Sequence, residues 1–287
     1  MEVKSILYKT VYFPLIKIII GAVVCIASYV LVENLFIYLL ELVGIQGELK
    51  FLISGVATAI GVIVVYKYLF QFYENRKVTE ISGDRFFKNI GLGVFVGVLM
   101  MSLTIGVIYV AGGYKVESVN PIWYVVPALT MAITSAIFEE ILFRGVLFRV
   151  VEEKLGSYIA LVISAFVFGL LHMMNPNSSL NAGISIAIEA GFLLGVAYMY
   201  TRNLWFPIAI HFAWNFTQST IFGANVSGTQ VSKTFITASI EGPEWLTGGA
   251  FGPEASIQAP IFGVILSVVL LFLCYKQGHI IKPFWKK

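Results

Sequence analysis

Long apolar runs alternate with short polar breaks along the whole 287-residue chain. Crossing the ~30 Å hydrocarbon core as a helix takes about 20 residues. Eight runs fit that scale, near 15–42, 51–72, 88–111, 121–150, 157–174, 181–200, 204–222 and 259–275. The breaks are Gln46-Gly47-Glu48, then Glu74 to Lys88, Gly112 to Asn120, Glu152 to Gly156, Asn175 to Ser179 and Thr201 to Asn203. A long Gly/Thr/Ser-rich stretch from Gly223 to Gln258 follows. The first run is preceded by Lys4 and Lys9 in the manner of a signal peptide, but it outlasts a signal-peptide core and reads as a spanning helix. No internal repeat or shift of composition marks a second domain. The expected fold is all-α: one polytopic membrane unit over 1–287 with eight transmembrane helices, since closed helices satisfy every backbone group in lipid.

Composition agrees with the pattern. The chain is 58% hydrophobic and 12% charged, where a soluble domain carries about 25% charged residues. That excludes a soluble enzyme, a disordered chain and a nucleic-acid binder built on a basic surface. The net charge of +3 is mild, so placement matters more than the total. With the N-terminus in the cytoplasm, fourteen basic residues fall inside: Lys4, Lys9, Lys67, Arg76, Lys77, Arg85, Lys88, Arg149, Lys154, Arg202, Lys276, Lys282, Lys286 and Lys287. Three, Lys50, Lys115 and Lys233, fall outside, and Lys17 and Arg144 lie within spans. Cytoplasmic loops carry an excess of Lys and Arg, so both termini are expected in the cytoplasm, and the expected setting is a prokaryotic cell membrane. Cys25 and Cys274 sit far apart in apolar runs and read as small buried hydrophobes.

Ionisable side chains at membrane depth carry the functional signal, because each costs at least ~2.5–3.5 kcal/mol at a helix centre. The fourth run contains Glu139-Glu140 and, four residues on, Arg144. Glu140 and Arg144 share a helix face in the order that favours an intrahelical ion pair. Glu139 lies about 100° around the helix and is left for chemistry. The fifth run holds Phe168 and His172, and the seventh holds His211 and Asn215, four apart on one face. Glu139 precedes Gly156 by about as many residues as His172 follows it, so a hairpin sets the two at one depth. His211 starts nearer the cytoplasm; for it to meet them, Gly145 to Lys154 must bend away as an interfacial piece or the helices must tilt. Glu189, in the sixth run, has no basic neighbour at helical spacing and is a secondary candidate. Glu33-Asn34 reads as glue between helices, and His279, in the basic tail, as solvated.

No Ser or Cys nucleophile has a base at local spacing, but a carboxylate that takes a proton from water needs none. Glu139 assisted by His172 suits a general base that drives water onto a carbonyl carbon. His211 and Asn215 suit an oxyanion hole. The alternative is zinc held by Glu139, His172 and His211 with water as fourth ligand, although no H-E-x-x-H pair is present.

The ordered set Glu139-Glu140-x-x-x-Arg144, Phe168-x-x-x-His172 and His211-x-x-x-Asn215 resembles the CPBP family, the type II CaaX prenyl endopeptidases with the bacterial abortive-infection and bacteriocin-processing proteins. The likeness covers roughly 120–222. It implies an intramembrane endopeptidase in which Glu139 and His172 activate water, and His211 and Asn215 form the oxyanion hole. Glu140, Arg144 and Phe168 then hold the site in shape. No cofactor is expected in the glutamate-dependent version. The expected partners are the bilayer and a lipidated, CaaX-type prenylated or membrane-embedded peptide, with no nucleic acid. The competing classes are a transporter and a non-catalytic scaffold or bacteriocin-immunity protein.

Overall fold

A computed structural model describes residues 13–286; Lys4, Lys9 and Lys287 lie outside them. The protein is mostly helical. Helices α1 (Pro14–Leu42), α2 (Gly47–Tyr73) and α3 (Phe86–Val110) come first. A strand, β1 (Tyr114–Val119), leads into α4 (Ile122–Leu155). Then follow α5 (Ser157–His172), α6 (Leu180–Thr201) and α7 (Trp205–Phe216). The stretch expected to be a loop over 223–258 holds strand β2 (Ile236–Ile240) and a single helical turn at Glu244–Thr247. Helix α8 (Gln258–Lys276) ends the bundle. Strands β1 and β2 pair antiparallel, with a bulge between Val116 and Ser118.

Six helices, α1 to α4, α6 and α8, are long and apolar enough to cross a membrane. Large apolar side chains such as Leu31, Phe95, Ile184 and Phe272 are exposed on their outer faces, as a protein solvated by lipid requires. Helix α5 is 16 residues and α7 is 12, both short of the expected span. The apolar runs continue past them, but the backbone leaves α geometry at Met173 and, after α7, in a π-helical turn over Thr217–Ile221.

The connections sort into two ends. At one, Lys17 and Arg76 bind Glu74 (3.1 and 2.6 Å), Leu204 N–H donates to Glu80 O and Ser157 N–H to Ile281 O. Gly156, at φ +79°, makes the α4–α5 turn there, where a Cβ would fall 2.8 Å from Ile281 O. At the other end lie the β1–β2 pair, the Lys233–Glu48 ion pair (2.9 Å), and the Asn175 amide donating to Ser227 O (3.0 Å).

Helix α3 packs along α7, and Gly93 and Gly97 allow the approach: a Cβ on Gly93 would sit 2.7 Å from Phe206 O, and one on Gly97 would collide with Ile210 O. That contact sets the position of α7, which bears His211. Residues 145–154 do not peel away from α4; instead the helix widens into π-helical turns over Ile141–Phe148 and continues to Leu155. Two minor expectations change. Asn34 donates to Val30 O within its own helix rather than to a neighbour (2.7 Å). His279 is not simply solvated, because its Nδ1–H donates to Tyr200 O (2.9 Å). Cys25 and Cys274 are both fully buried.

Candidate active site

Three π-helical stretches occur among the described residues: Ile141–Phe148 in α4, Ala187–Phe192 in α6 and Thr217–Ile221 after α7. All three border one site. Such widened turns recur at functional positions because they displace side chains from the regular helical register. Here they follow Glu140, contain Arg144, Glu189 and Gln218, and follow Asn215.

Arg144 is the structural hub. Its guanidinium, 0% exposed, donates to Glu140 Oε1 at 2.6 Å. The other arm of the fork reaches Ala190 O (3.0 Å) and Gly191 O (3.1 Å) on the widened turn of α6. Its face lies 4.8 Å from the Phe168 ring on α5. One side chain therefore ties α4 to α5 and α6, using the planar donor geometry that a lysine lacks.

Glu140 Oε1 accepts a second bond, from His211 Nδ1–H, at 3.0 Å. His172 is fixed in a parallel way: its Nδ1–H donates to Phe168 O (2.8 Å), and its ring lies over Phe168 with centroids 4.3 Å apart. Phe168 also meets His211 edge-on at 6.4 Å. With both Nδ1 atoms engaged as donors, the Nε2 atoms are the free positions of the two rings. Both face Glu139: its Oε2 is 3.9 Å from His172 Nε2 and 4.0 Å from His211 Nε2. That oxygen is buried and makes no hydrogen bond within the chain. Asn215 donates to Ser135 Oγ on α4 (3.2 Å). The sequence-predicted set Glu139, Glu140, Arg144, Phe168, His172, His211 and Asn215 thus converges on one place.

Two spaces adjoin this cluster. One, of about 400 Å³, is walled by Phe168, Ile186, Leu193, Leu194 and Trp214, and reaches His172, His211 and Glu189. The other, of about 550 Å³, runs from Glu139 past Ser135 and Met131 to Asn175, Val226, Ser227 and Thr229. Glu189 is buried at the first space. Sequence reasoning missed four participants: Ser135, Gln218, Ser227 and Glu254. Ser135 is one helical turn before Glu139, and Gln218 belongs to the polar run Thr217-Gln218-Ser219-Thr220, buried throughout, so both had a signal. Ser227 and Glu254 had none, because only the fold of the 223–258 segment brings them in. The Glu254 carboxylate accepts from the Gln218 amide and from Ser227 N–H and Oγ–H (3.3 Å for the hydroxyl). Burial pushes its carboxyl up to about 7 even against those bonds.

A zinc ion about 2.0–2.2 Å from each donor in tetrahedral geometry needs donors about 3.3–3.6 Å apart. Glu139 Oε2 is 3.9 and 4.0 Å from the two imidazole nitrogens. Among the described residues no group of three or more His, Cys, Asp or Glu is arranged to hold a metal ion. The residues as placed do not fit the group.

Fold and site together define a multi-pass membrane protein with a buried Glu/His cluster at the junction of α4, α5 and α7. Residues 121–217 match the model of the family described as type II CAAX prenyl endopeptidase Rce1-like. The chain is 31% identical over 153 residues to "Uncharacterized protein YpbD" of Bacillus subtilis, a match covering 50% of this chain and 74% of that protein. It is 30% identical over 113 residues to "Putative membrane peptidase YdiL" of the same organism, covering 37% of this chain and 44% of YdiL. No solved structure matches the chain. The chain belongs to the Rce1-like family of membrane peptidases.

Proposed function

We propose that the chain is an intramembrane endopeptidase that hydrolyses a peptide bond near the C-terminus of a lipidated, CaaX-type prenylated or membrane-embedded peptide. The observation that carries this reading is the buried Glu139 Oε2 facing the free Nε2 atoms of His172 and His211. Water positioned by Glu139 and His172 can donate one proton to the carboxylate while its oxygen attacks the peptide carbonyl carbon. The C–O bond forms, the carbonyl π electrons move to oxygen, and a tetrahedral oxyanion results. His211 and the second amide N–H of Asn215 serve that oxyanion. Because His211 Nδ1–H is committed to Glu140, donation from Nε2 requires the imidazolium form, and the Glu140 carboxylate is its counter-charge. Collapse breaks the C–N bond, and the proton held on Glu139 passes to the leaving nitrogen, giving a carboxylic acid and an amine, between which the acid proton then equilibrates through solvent. The apolar wall of Phe168, Leu193, Leu194 and Trp214 suits a lipid chain or an apolar side chain beside the scissile bond.

The test is cleavage of a fluorogenic lipidated C-terminal peptide by the purified full chain. Glu139→Ala and His172→Ala lose about 10²–10⁴-fold in rate, and Asn215→Ala about 10²–10³-fold, with helicity unchanged. Equal cleavage by wild type, Glu139→Ala and His172→Ala overturns the assignment. A strong chelator leaves the rate intact in the glutamate-dependent reaction and abolishes it in a zinc-dependent one.

A further inference from the structure

We propose that the groove between the end of α2 and the 74–83 connection binds the headgroup of an anionic phospholipid, at the basic end of the bundle. That end carries the α4–α5 turn, and its carboxylates are already engaged in an ion network. Glu74 is bound by Lys17 and Arg149 (3.1 and 3.0 Å), and Glu80 by Arg76 (2.5 Å). Arg202 holds Glu152 (2.5 Å), and Arg149 holds Glu153 (2.5 Å). Lys67, Lys77, Arg85, Lys88, Lys154 and Lys276 have no carboxylate partner among the described residues, and one acid beside them, Asp84, is likewise unpaired. This end therefore carries more positive charge than the chain itself neutralises.

Two of the unpaired lysines share one space. An open groove of about 1110 Å³ is lined by Lys67 and Gln71 from α2 and by Asn75, Arg76, Lys77 and Ser82 from the connection, and no carboxylate lines it. Lys67 and Gln71 are four residues apart, on one face of the helix. The Arg76 guanidinium is turned to Glu74 and Glu80. The donors left for an anion are the two ammonium groups, the amides of Gln71 and Asn75, and the Ser82 hydroxyl. That is a donor set for phosphate oxygens, with charge from the lysines and orientation from the neutral groups.

The surroundings of the groove favour a lipid over a soluble anion. Lys67 lies six residues before α2 ends at Tyr73, about 9 Å along the helix towards the bilayer. Next to Lys67 and Gln71 stand Tyr68 and Phe72, 50% and 76% exposed, with their rings stacked 6.1 Å apart. Aromatic rings of this kind sit at headgroup level, and a lysine stem runs along apolar surface to bring its charge there. A lipid phosphate meets both lysines while its acyl chains lie along Tyr68 and Phe72. Basic pockets between membrane helices take such headgroups. The groove also joins the buried network: Arg76 holds Glu80, which takes the Tyr66 hydroxyl, and that hydroxyl lies 3.0 Å from Gly145 O beside Arg144. A headgroup here braces the connection whose contacts end on the widened turn of α4.

Calorimetric titration of the purified full chain in a neutral detergent tests this, with short-chain phosphatidylglycerol, short-chain phosphatidylcholine and glycerol phosphate as probes. Wild type binds phosphatidylglycerol saturably, and its melting temperature rises with the lipid. The double variant Lys67→Gln, Lys77→Gln binds it about 30-fold more weakly. The double variant Lys154→Gln, Lys276→Gln makes the same change of net charge at the same end, outside the groove, and binds as wild type does. All four lysines are exposed, so both variants melt like wild type without lipid. Where the first pair fails to fold, Lys77→Gln alone weakens binding about fivefold. Equal losses in the two double variants overturn the proposal, as does phosphatidylcholine binding as tightly as phosphatidylglycerol. Glycerol phosphate binding as tightly as the lipid overturns it in favour of a soluble phosphate. Binding needs no turnover, so its outcome is separate from that of the protease reading, which Glu139→Ala tests.

Discussion

His211 Nδ1 and Glu140 Oε1 lie 3.0 Å apart, and the same carboxylate oxygen holds Arg144 at 2.6 Å. One buried carboxylate oxygen thus accepts from two side chains on two helices. Removing it leaves a guanidinium at 0% exposure without its hydrogen-bonded carboxylate. Breaking a buried pair on one side costs about 3–5 kcal/mol. Glu140→Ala is expected to lower thermal stability in detergent by that order and to abolish activity, whereas Glu139→Ala, whose carboxyl makes no ion pair with Arg144, loses activity with little change in melting. Equal melting of the two variants would separate Glu140 from any structural role.

Arg144→Lys provides a sharper comparison. A lysine ammonium can still meet Glu140, but it cannot also span Ala190 O and Gly191 O with a planar fork. The variant is expected to fold, to melt earlier than wild type, and to turn over more slowly, because α6 and the Phe168 face of α5 lose their common tether. Melting curves and rates on the same preparations check it; wild-type values for both would show that charge alone suffices.

The helical class and the cluster were legible in sequence for one reason: charge is so costly in lipid that Glu139, Glu140, Arg144, His172 and His211 stood out without any geometry. The Glu140–Arg144 pair followed from a four-residue spacing. The lengths of α5 and α7 did not, since hydropathy runs on through Met173 and Thr217 while the backbone changes. The π-helical stretch in α4 was invisible too; of the two expectations, a bend or a tilt, the bend is replaced by a widened helix. Ser227 and Glu254 enter through the packing of a polar segment, and no local pattern in 223–258 points inward.

Gly97 sets the height of α7 at the site. A side chain there would strike Ile210 O and lie 2.8 Å from the Ala213 methyl. Overpacking of this kind costs about 1–3 kcal/mol, and the simplest relief moves α7, with His211 and Asn215, away from α4. Gly97→Val is expected to lower the rate more than Gly91→Val, whose Cβ position is open. Similar rates for both would mean that α3 does not position the site.

Glu254 makes the 223–258 segment sensitive to pH. Its carboxyl is raised by burial from 4.5 to about 7. The folded state therefore holds this proton more tightly than the unfolded chain, and the stability it contributes is full below about 4.5 and lost as pH rises towards 7. Glu254→Gln cannot ionise and is expected to lack this component of the melting-temperature change between those two values. An identical pH dependence in wild type and variant would refute a protonated Glu254 in the folded chain.

The ion network at the basic end has the opposite sign. Burial pushes the Glu74 and Glu80 carboxyls up, but Arg149 and Arg76 respectively lead the interactions that outweigh it and hold both below the ordinary 4.5. A carboxyl depressed in the folded state contributes stability above its unfolded pKa and loses it as pH falls through the folded one. Wild type is therefore expected to lose melting temperature as pH drops below about 4.5. Arg76→Ala removes the Arg76 bonds to Glu74 and Glu80, so it should melt earlier near neutral pH and converge on wild type in acid. Parallel curves across that range would mean that this end is held by packing of Tyr66, Phe70 and Phe148 rather than by charge.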